Sequence, residues 1–174
     1  MSDSLLSKIA SHNRPEIKDD VTLALRAITE KRAATIAYML DEAAQLGLDE
    51  QYARRAIAHY GADNGRRMAA SMQDADSLVE FAKVFTDGLE AKVYEMETIS
   101  AEPDRFIVRF HYCPYVNKWL TQNRAAAEIH QLCDICLEGD NAITQGFRGI
   151  QFAPVKTLAR GDAYCEMHYF REGQ

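Results

Sequence analysis

No cysteine occurs in the first 112 of the 174 residues; all four lie further on, at Cys113, Cys133, Cys136 and Cys165. Thiol chemistry or a thiolate metal site is therefore confined to the back of the chain. Positive charge is in short supply. There are 20 Lys and Arg against 26 Asp and Glu, a net charge of −6, so no general nucleic-acid footprint is expected. The basic pairs Arg54-Arg55 and Arg66-Arg67 read as solvated helix faces rather than anion sites. No stretch approaches the ~20 apolar residues of a membrane span, so no membrane partner is expected. The opening Met-Ser-Asp-Ser-Leu-Leu-Ser-Lys lacks the basic start and long apolar run of a secretory signal. The expected compartment is the cytoplasm, where thiols stay reduced. Four cysteines there point to chemistry, metal binding or plain burial before disulfides. Internal repeats, low-complexity runs and linkers are also missing, and the length suffices for one hydrophobic core. A single domain over 1–174 is expected.

What is present divides the chain in two. Residues 1–88 read as helical. Pro15, after Asn13, suits a helix start, and apolar residues recur at helical spacing from Ile17 through Val21, Leu25, Ile28, Ala33 and Ile36 to Leu40. Gly47 stops that helix. Asp49 opens a second, ending at Gly61; Asp63 caps a short third; Asp74 or Asp76 opens a fourth that Gly88 stops. The period then changes. Residues 91–99 carry a strand signal. In 105–113, Phe106, Val108, Phe110 and Tyr112 alternate with Ile107, Arg109 and His111. Helices follow at 114–122 and 125–146. Two last strands are expected at 149–159 and 163–171, joined by a tight turn at Arg160-Gly161-Asp162. The fold class is α+β: a helical lead-in, 1–88, packed on an 89–174 core. That core has an antiparallel sheet of about four strands, with helices inserted between its two hairpins.

The cysteines do not read alike. Cys133 and Cys136 form a Cys-x-x-Cys, but inside a helix, where Ile129, Leu132, Cys133 and Cys136 share a stripe. Buried, inert thiols fit that better than a redox pair, which needs a helix N-terminus. Asp140 continues the stripe, and an unpaired carboxylate is not an ordinary core residue. Cys113 follows a strand and precedes Pro114, which places it at a helix N-cap, where the dipole favours a thiolate. His111, two residues upstream, reads as a base on the same strand face; a small residue packed at a strand end is the alternative. Asp162 belongs to the Gly-Asp turn. Cys165 shares a strand face with Met167 and Tyr169. A four-cysteine zinc site is weakened by the single Cys-x-x-Cys, so no metal ligand set and no cofactor are assigned.

The ordered set Cys113-Pro114, Leu132-Cys133, Asp140 and Leu-Ala-Arg-Gly-Asp-Ala-Tyr-Cys-Glu-Met at 158–167 resembles the L-2-amino-thiazoline-4-carboxylic acid hydrolase family. The likeness covers about 90–171. Met167 stands where that family usually has an aromatic residue. The same ending is distantly similar to 4-vinyl reductase-like small-molecule-binding domains. The first resemblance implies a hydrolase that opens a C–N bond of a small cyclic amidine bearing a carboxylate. On that reading Cys113, Asp140, Asp162 and His111 are the candidate catalytic residues. Cys133, Cys165 and one of Arg109, Arg148 and Arg160 are candidates for holding the substrate, an arginine pairing with its carboxylate. The rival readings are a binding module without turnover and a zinc-stabilised structural domain. The expected partner is a small-molecule substrate, and the long apolar helices leave a homo-oligomer open.

Overall fold

A computed structural model describes residues 2–171. Among them lie seven α-helices and a four-stranded antiparallel sheet. The helices are α1 Ser2–His12, α2 Asp20–Gln45, α3 Gln51–Ser71, α4 Leu78–Thr86, α5 Leu89–Tyr94, α6 Pro114–Thr121 and α7 Ala126–Ile143. The strands are β1 Met96–Ala101, β2 Arg105–Phe110, β3 Gln151–Lys156 and β4 Cys165–Phe170, in the order β1-β2-β4-β3. Two hairpins thus meet along β2 and β4, where Phe110 pairs with Cys165 and Arg109 with Glu166. Helices α6 and α7 sit between the hairpins in sequence. The α+β architecture is as the hydrophobic periods implied.

The sheet has one dry face. Phe106, Val108 and Phe110 of β2 and Cys165, Met167 and Tyr169 of β4 are buried, while their alternating neighbours are not. Phe81 of α4 stacks its ring edge-on against Phe106, Phe147 and Tyr169, with centroids 4.7–5.9 Å apart. This aromatic cluster supplies much of the apolar area that holds helices to sheet. Trp119, also fully buried, donates its indole N–H to the Ala33 carbonyl at 3.2 Å and ties α6 to α2.

Several boundaries differ from the sequence reading, each for a long-range reason. Pro15 does not start a helix. The Glu16 and Ile17 N–H groups donate to the Glu95 carboxylate at 2.7 and 2.8 Å, and α2 begins only where Asp19 accepts from Thr22 N. Gly61 and Asp63 do not divide α3. Helix α3 runs unbroken through Gly61 and Gly65 because α7 crosses it there. A Cβ on Gly61 would lie 2.1 Å from the Gly139 carbonyl oxygen, and one on Gly65 2.1 Å from that of Ile143. The fourth helix is capped by Ser77, not by Asp74 or Asp76; Ser77 accepts from Glu80 N at 3.2 Å.

The expected strand 91–99 is half helix. Arg26 reaches across to the Val93 and Lys92 carbonyls at the end of α5 and pairs with Glu95 at 2.8 Å. Glu95 itself adopts the left-handed conformation, φ 51°, and turns the chain into β1. The β3–β4 connection is no tight turn. Residues 157–164 make a wider loop in which Leu158 and Ala159 are fully buried. The Asp162 carboxylate accepts from Thr157 N at 2.9 Å. Gly47 does end α2 as expected. At φ 72° it lets Leu48 N donate back to the Ala43 carbonyl.

Candidate active site

A cavity of about 580 Å³ opens between the dry face of the sheet and helices α2 to α7. All four cysteines line it, and so does Asp140. The stripe on α7 resolves into two neighbouring faces. Ile129, Leu132 and Ile135 pack into the core. Cys133, Cys136, Leu137 and Asp140, at helical i, i+3, i+4 and i+7 spacing, look into the cavity. Cys133, Cys136 and Asp140 are therefore half-buried rather than sealed.

Cys113 is delivered by a different device. Strand β2 ends at Phe110, and Pro114 is the first residue of α6, so Cys113 is the N-cap. The buried Asn13 side chain grips its backbone on both sides. Asn13 Nδ2 donates to the Cys113 carbonyl at 3.0 Å, and Cys113 N donates to Asn13 Oδ1 at 2.7 Å. The Tyr115 and Val116 N–H groups of the first turn pull the thiol's pKa down, although neither closes a full hydrogen bond to the sulfur. Burial opposes them more strongly, and the Asp140 charge adds to it, so the thiol is pushed up to about 11. The helix start alone does not make a thiolate here. Burial likewise raises Cys136 to about 12 and lifts Cys133 and Cys165 well above the ordinary thiol range. Leu158 N donates to the Cys165 sulfur at 3.3 Å.

Asp140 is the group poised to change charge. Burial pushes its carboxyl up to about 7; its own N–H and the Arg32 guanidinium pull the other way and lose. Among the described residues no side chain makes an ion pair or hydrogen bond to it. Tyr94 and Tyr115, both kept protonated by burial, complete the polar wall with Cys113. At the mouth stand the exposed Arg32, Arg67 and Glu90 with Tyr60 and Asn64. The Arg32 guanidinium lies 4.2 Å from the centre of the Tyr60 ring.

The other sequence candidates lie elsewhere. His111 is on the outer side of the sheet, 2.9 Å from Glu97. The strand parity that put it beside Cys113 lapses because β2 stops at Phe110. Asp162 holds the β3–β4 loop through Thr157 N. Arg109 pairs with Glu166 at 2.8 Å and lies over the Tyr164 ring. Arg160 bonds His130 and Asp134, and Arg148 is exposed in the turn after α7. None of these five lines the cavity. Arg32, Tyr94, Tyr115 and Asn13 were not legible as site residues. Arg32 is one of several charged residues on α2, and Asn13 meets Cys113 across 100 positions of sequence. Among the described residues, no three His, Cys, Asp or Glu side chains gather into a metal-ligand set.

An α+β domain that gathers thiols, a half-buried carboxyl and two tyrosines around one cavity is built to enclose a small molecule. The model of the L-2-amino-thiazoline-4-carboxylic acid hydrolase family matches residues 26–169, and the chain belongs to that family. No curated protein and no solved structure matches it. The matched segment holds every cavity residue named above but omits α1 and Asn13. No described helix is long and apolar enough to cross a membrane.

Proposed function

We propose that the protein hydrolyses a C–N bond in a cyclic amidine that carries a carboxylate, the chemistry for which its family is named. The observation that supports this most is the sharing of one cavity by the Cys113 thiol and the Asp140 carboxyl, with Arg32 at the mouth. An amidine carboxylate is a zwitterion when protonated. Its amidinium suits the Asp140 carboxylate and the Tyr94 and Tyr115 rings inside, and its carboxylate suits Arg32 outside.

The reaction follows from the two pKa directions. A thiol near 11 is not a nucleophile at neutral pH unless a base takes its proton. Asp140, near 7, is half ionised there and is the base within the same cavity. In the first step the Cys113 proton passes to Asp140 and the sulfur adds to C2 of the ring. Asp140 then returns the proton to the ring nitrogen as the C2–N bond breaks. With the ring amidine protonated, the exocyclic nitrogen forms the new C=N bond, so the amine leaves neutral. An imidodithiocarbonate (C2 bonded to the Cys113 sulfur, the former ring sulfur and one nitrogen) stays on Cys113. Water, giving one proton to Asp140, adds to the same carbon. As the Cys113–C2 bond breaks, Asp140 returns that proton to the sulfur, and the hydroxyl proton passes to the freed amine as the carbonyl forms. The product is an S-carbamoyl thiol, with one water consumed. The first-turn N–H groups of α6 favour the sulfur anion whenever it forms.

The test is turnover of 2-amino-thiazoline-4-carboxylate, followed by appearance of the carbamoyl product, with trapping of the Cys113 adduct by mass spectrometry after acid quench. Full turnover by Cys113→Ser would remove the covalent route. A second reading, a binding module without turnover, draws on the absence of any activated thiol in the free cavity. It predicts a thermal shift with hydrophobic carboxylates and no hydrolysis of any cyclic amidine. In both readings the partner is a small molecule, and no metal or cofactor takes part.

A further inference from the structure

We infer that the natural substrate carries an apolar, ring-sized group in addition to its amidine and carboxylate; this rests on the hydrolase reading above. The cavity holds about 580 Å³, room for roughly twenty waters at ~30 Å³ each and well inside the ~300–1,000 Å³ of sites that enclose drug-sized ligands. A thiazoline carboxylate is a single five-membered ring with two small substituents. It occupies the polar wall and leaves the rest of the space to water.

The rest of the space is not a polar surface. Its lining includes Phe85 of α4, Phe110 of β2, Met68 of α3, Met96 of β1 and Met167 of β4. Phe85 and Phe110 stand nearly parallel with centroids 6.4 Å apart, and Tyr94 tilts against Phe110 at 5.5 Å. Water against such a wall is displaced favourably by apolar surface, at about 25 cal/mol per Å². Three methionines give that wall a surface that adapts to the shape of what it holds. The lining thus offers apolar surface as well as polar groups, and a substrate that uses only the polar groups forgoes the binding energy of the rest.

The experiment measures kcat/KM for 2-amino-thiazoline-4-carboxylate and for analogues bearing methyl, phenyl and benzyl groups at ring position 5. The wild-type protein is compared with Met68→Trp, which adds bulk to the cavity wall, and Met68→Leu, which conserves its volume. Thermal melting checks that each variant is folded. The expected result is at least a roughly tenfold rise in kcat/KM from the unsubstituted to the aryl compounds. Met68→Trp should collapse that ratio and Met68→Leu should keep it. Turnover that is best for the unsubstituted compound and falls with each added group would overturn the inference and leave the hydrolase reading standing. No turnover of any member overturns both. A ratio unchanged in folded Met68→Trp also overturns the inference, because the apolar group would then lie elsewhere.

Discussion

The two faces of the sheet treat polar residues in opposite ways. On the outer face the charges around Glu166 and Glu97 have partners. Arg109 and His168 share Glu166, His111 meets Glu97, and Lys156 reaches the Tyr164 hydroxyl at 3.1 Å. On the inner side Asp140 and the thiols meet a cavity and no ion pair. There the Arg109–Glu166 hydrogen bond favours the charged form of both groups, and each surface pair is worth ~1 kcal/mol or less. Groups left without partners in a half-dry cavity are pushed toward their neutral forms by burial and are free to engage a ligand. Two of the charged candidates read from the sequence, His111 and Arg109, fall on the wrong side of that division.

The sharpest way to break the comparison is to exchange the two sides by mutation. Cys113→Ala should abolish hydrolysis of the cyclic amidine, and Asp140→Asn should reduce kcat/KM by roughly 10²–10⁴-fold, both as folded proteins in steady-state assays. Activity near wild type in Asp140→Asn would show that the unpartnered carboxyl is not the base. Next in size is the α3–α7 crossing that builds the cavity's back. Gly65→Ala places a methyl against the Ile143 carbonyl, with backbone on both sides and no flexible side chain to yield. Loss of about 3 kcal/mol in urea unfolding is expected, with little change for an alanine at the open Gly47 apart from the strain of its positive φ.

The pH dependence sharpens the comparison further. Asp140 must be ionised to accept the thiol proton, so kcat/KM should fall about tenfold per pH unit below about 7. Stability runs the other way. Folding raises this pKa from 3.8 to about 7, so the folded state binds the extra proton. Stability is therefore fullest below about 4 as far as this group is concerned, and it declines as pH rises through 7. Asp140→Asn should remove that decline and gain roughly 1–2 kcal/mol at pH 8, the shift being discounted for the water that reaches the cavity. An unaltered pH-stability curve would refute the burial. Smallest is the outer face: Glu166→Gln should cost under ~1 kcal/mol and leave kcat/KM unchanged. A large loss of activity there would erase the distinction between the faces.

Asn13 shows how much of the site lay beyond local reading. Its neighbours in sequence, His12 and Arg14, say nothing of a partner, and the family match begins only at Arg26. Yet its amide holds the backbone of Cys113 through two hydrogen bonds. Cys113 and Asp140, by contrast, were legible. Pro114 after a strand announces an N-cap, and an aspartate on an apolar stripe announces an exception to the core. Arg32 was not, because a helix exposes many arginines and only the packing of α2 beside α3 brings one to a cavity mouth.

The sequence by itself determined the α+β class, the two hairpins, and the placing of Cys113 at a helix start and Asp140 on the Cys133–Cys136 face. Those follow from periods of two and 3.6 residues and from proline's missing donor, which act within a few positions. Tertiary structure alone decided that α3 runs through Gly61 and Gly65, that residues 89–94 are helical, and that His111, Asp162 and the three proposed arginines stand outside the cavity. It also decided the protonation states. A helix N-terminus promised Cys113 a low pKa, but desolvation, which depends on what the rest of the chain packs around the sulfur, outweighs the dipole.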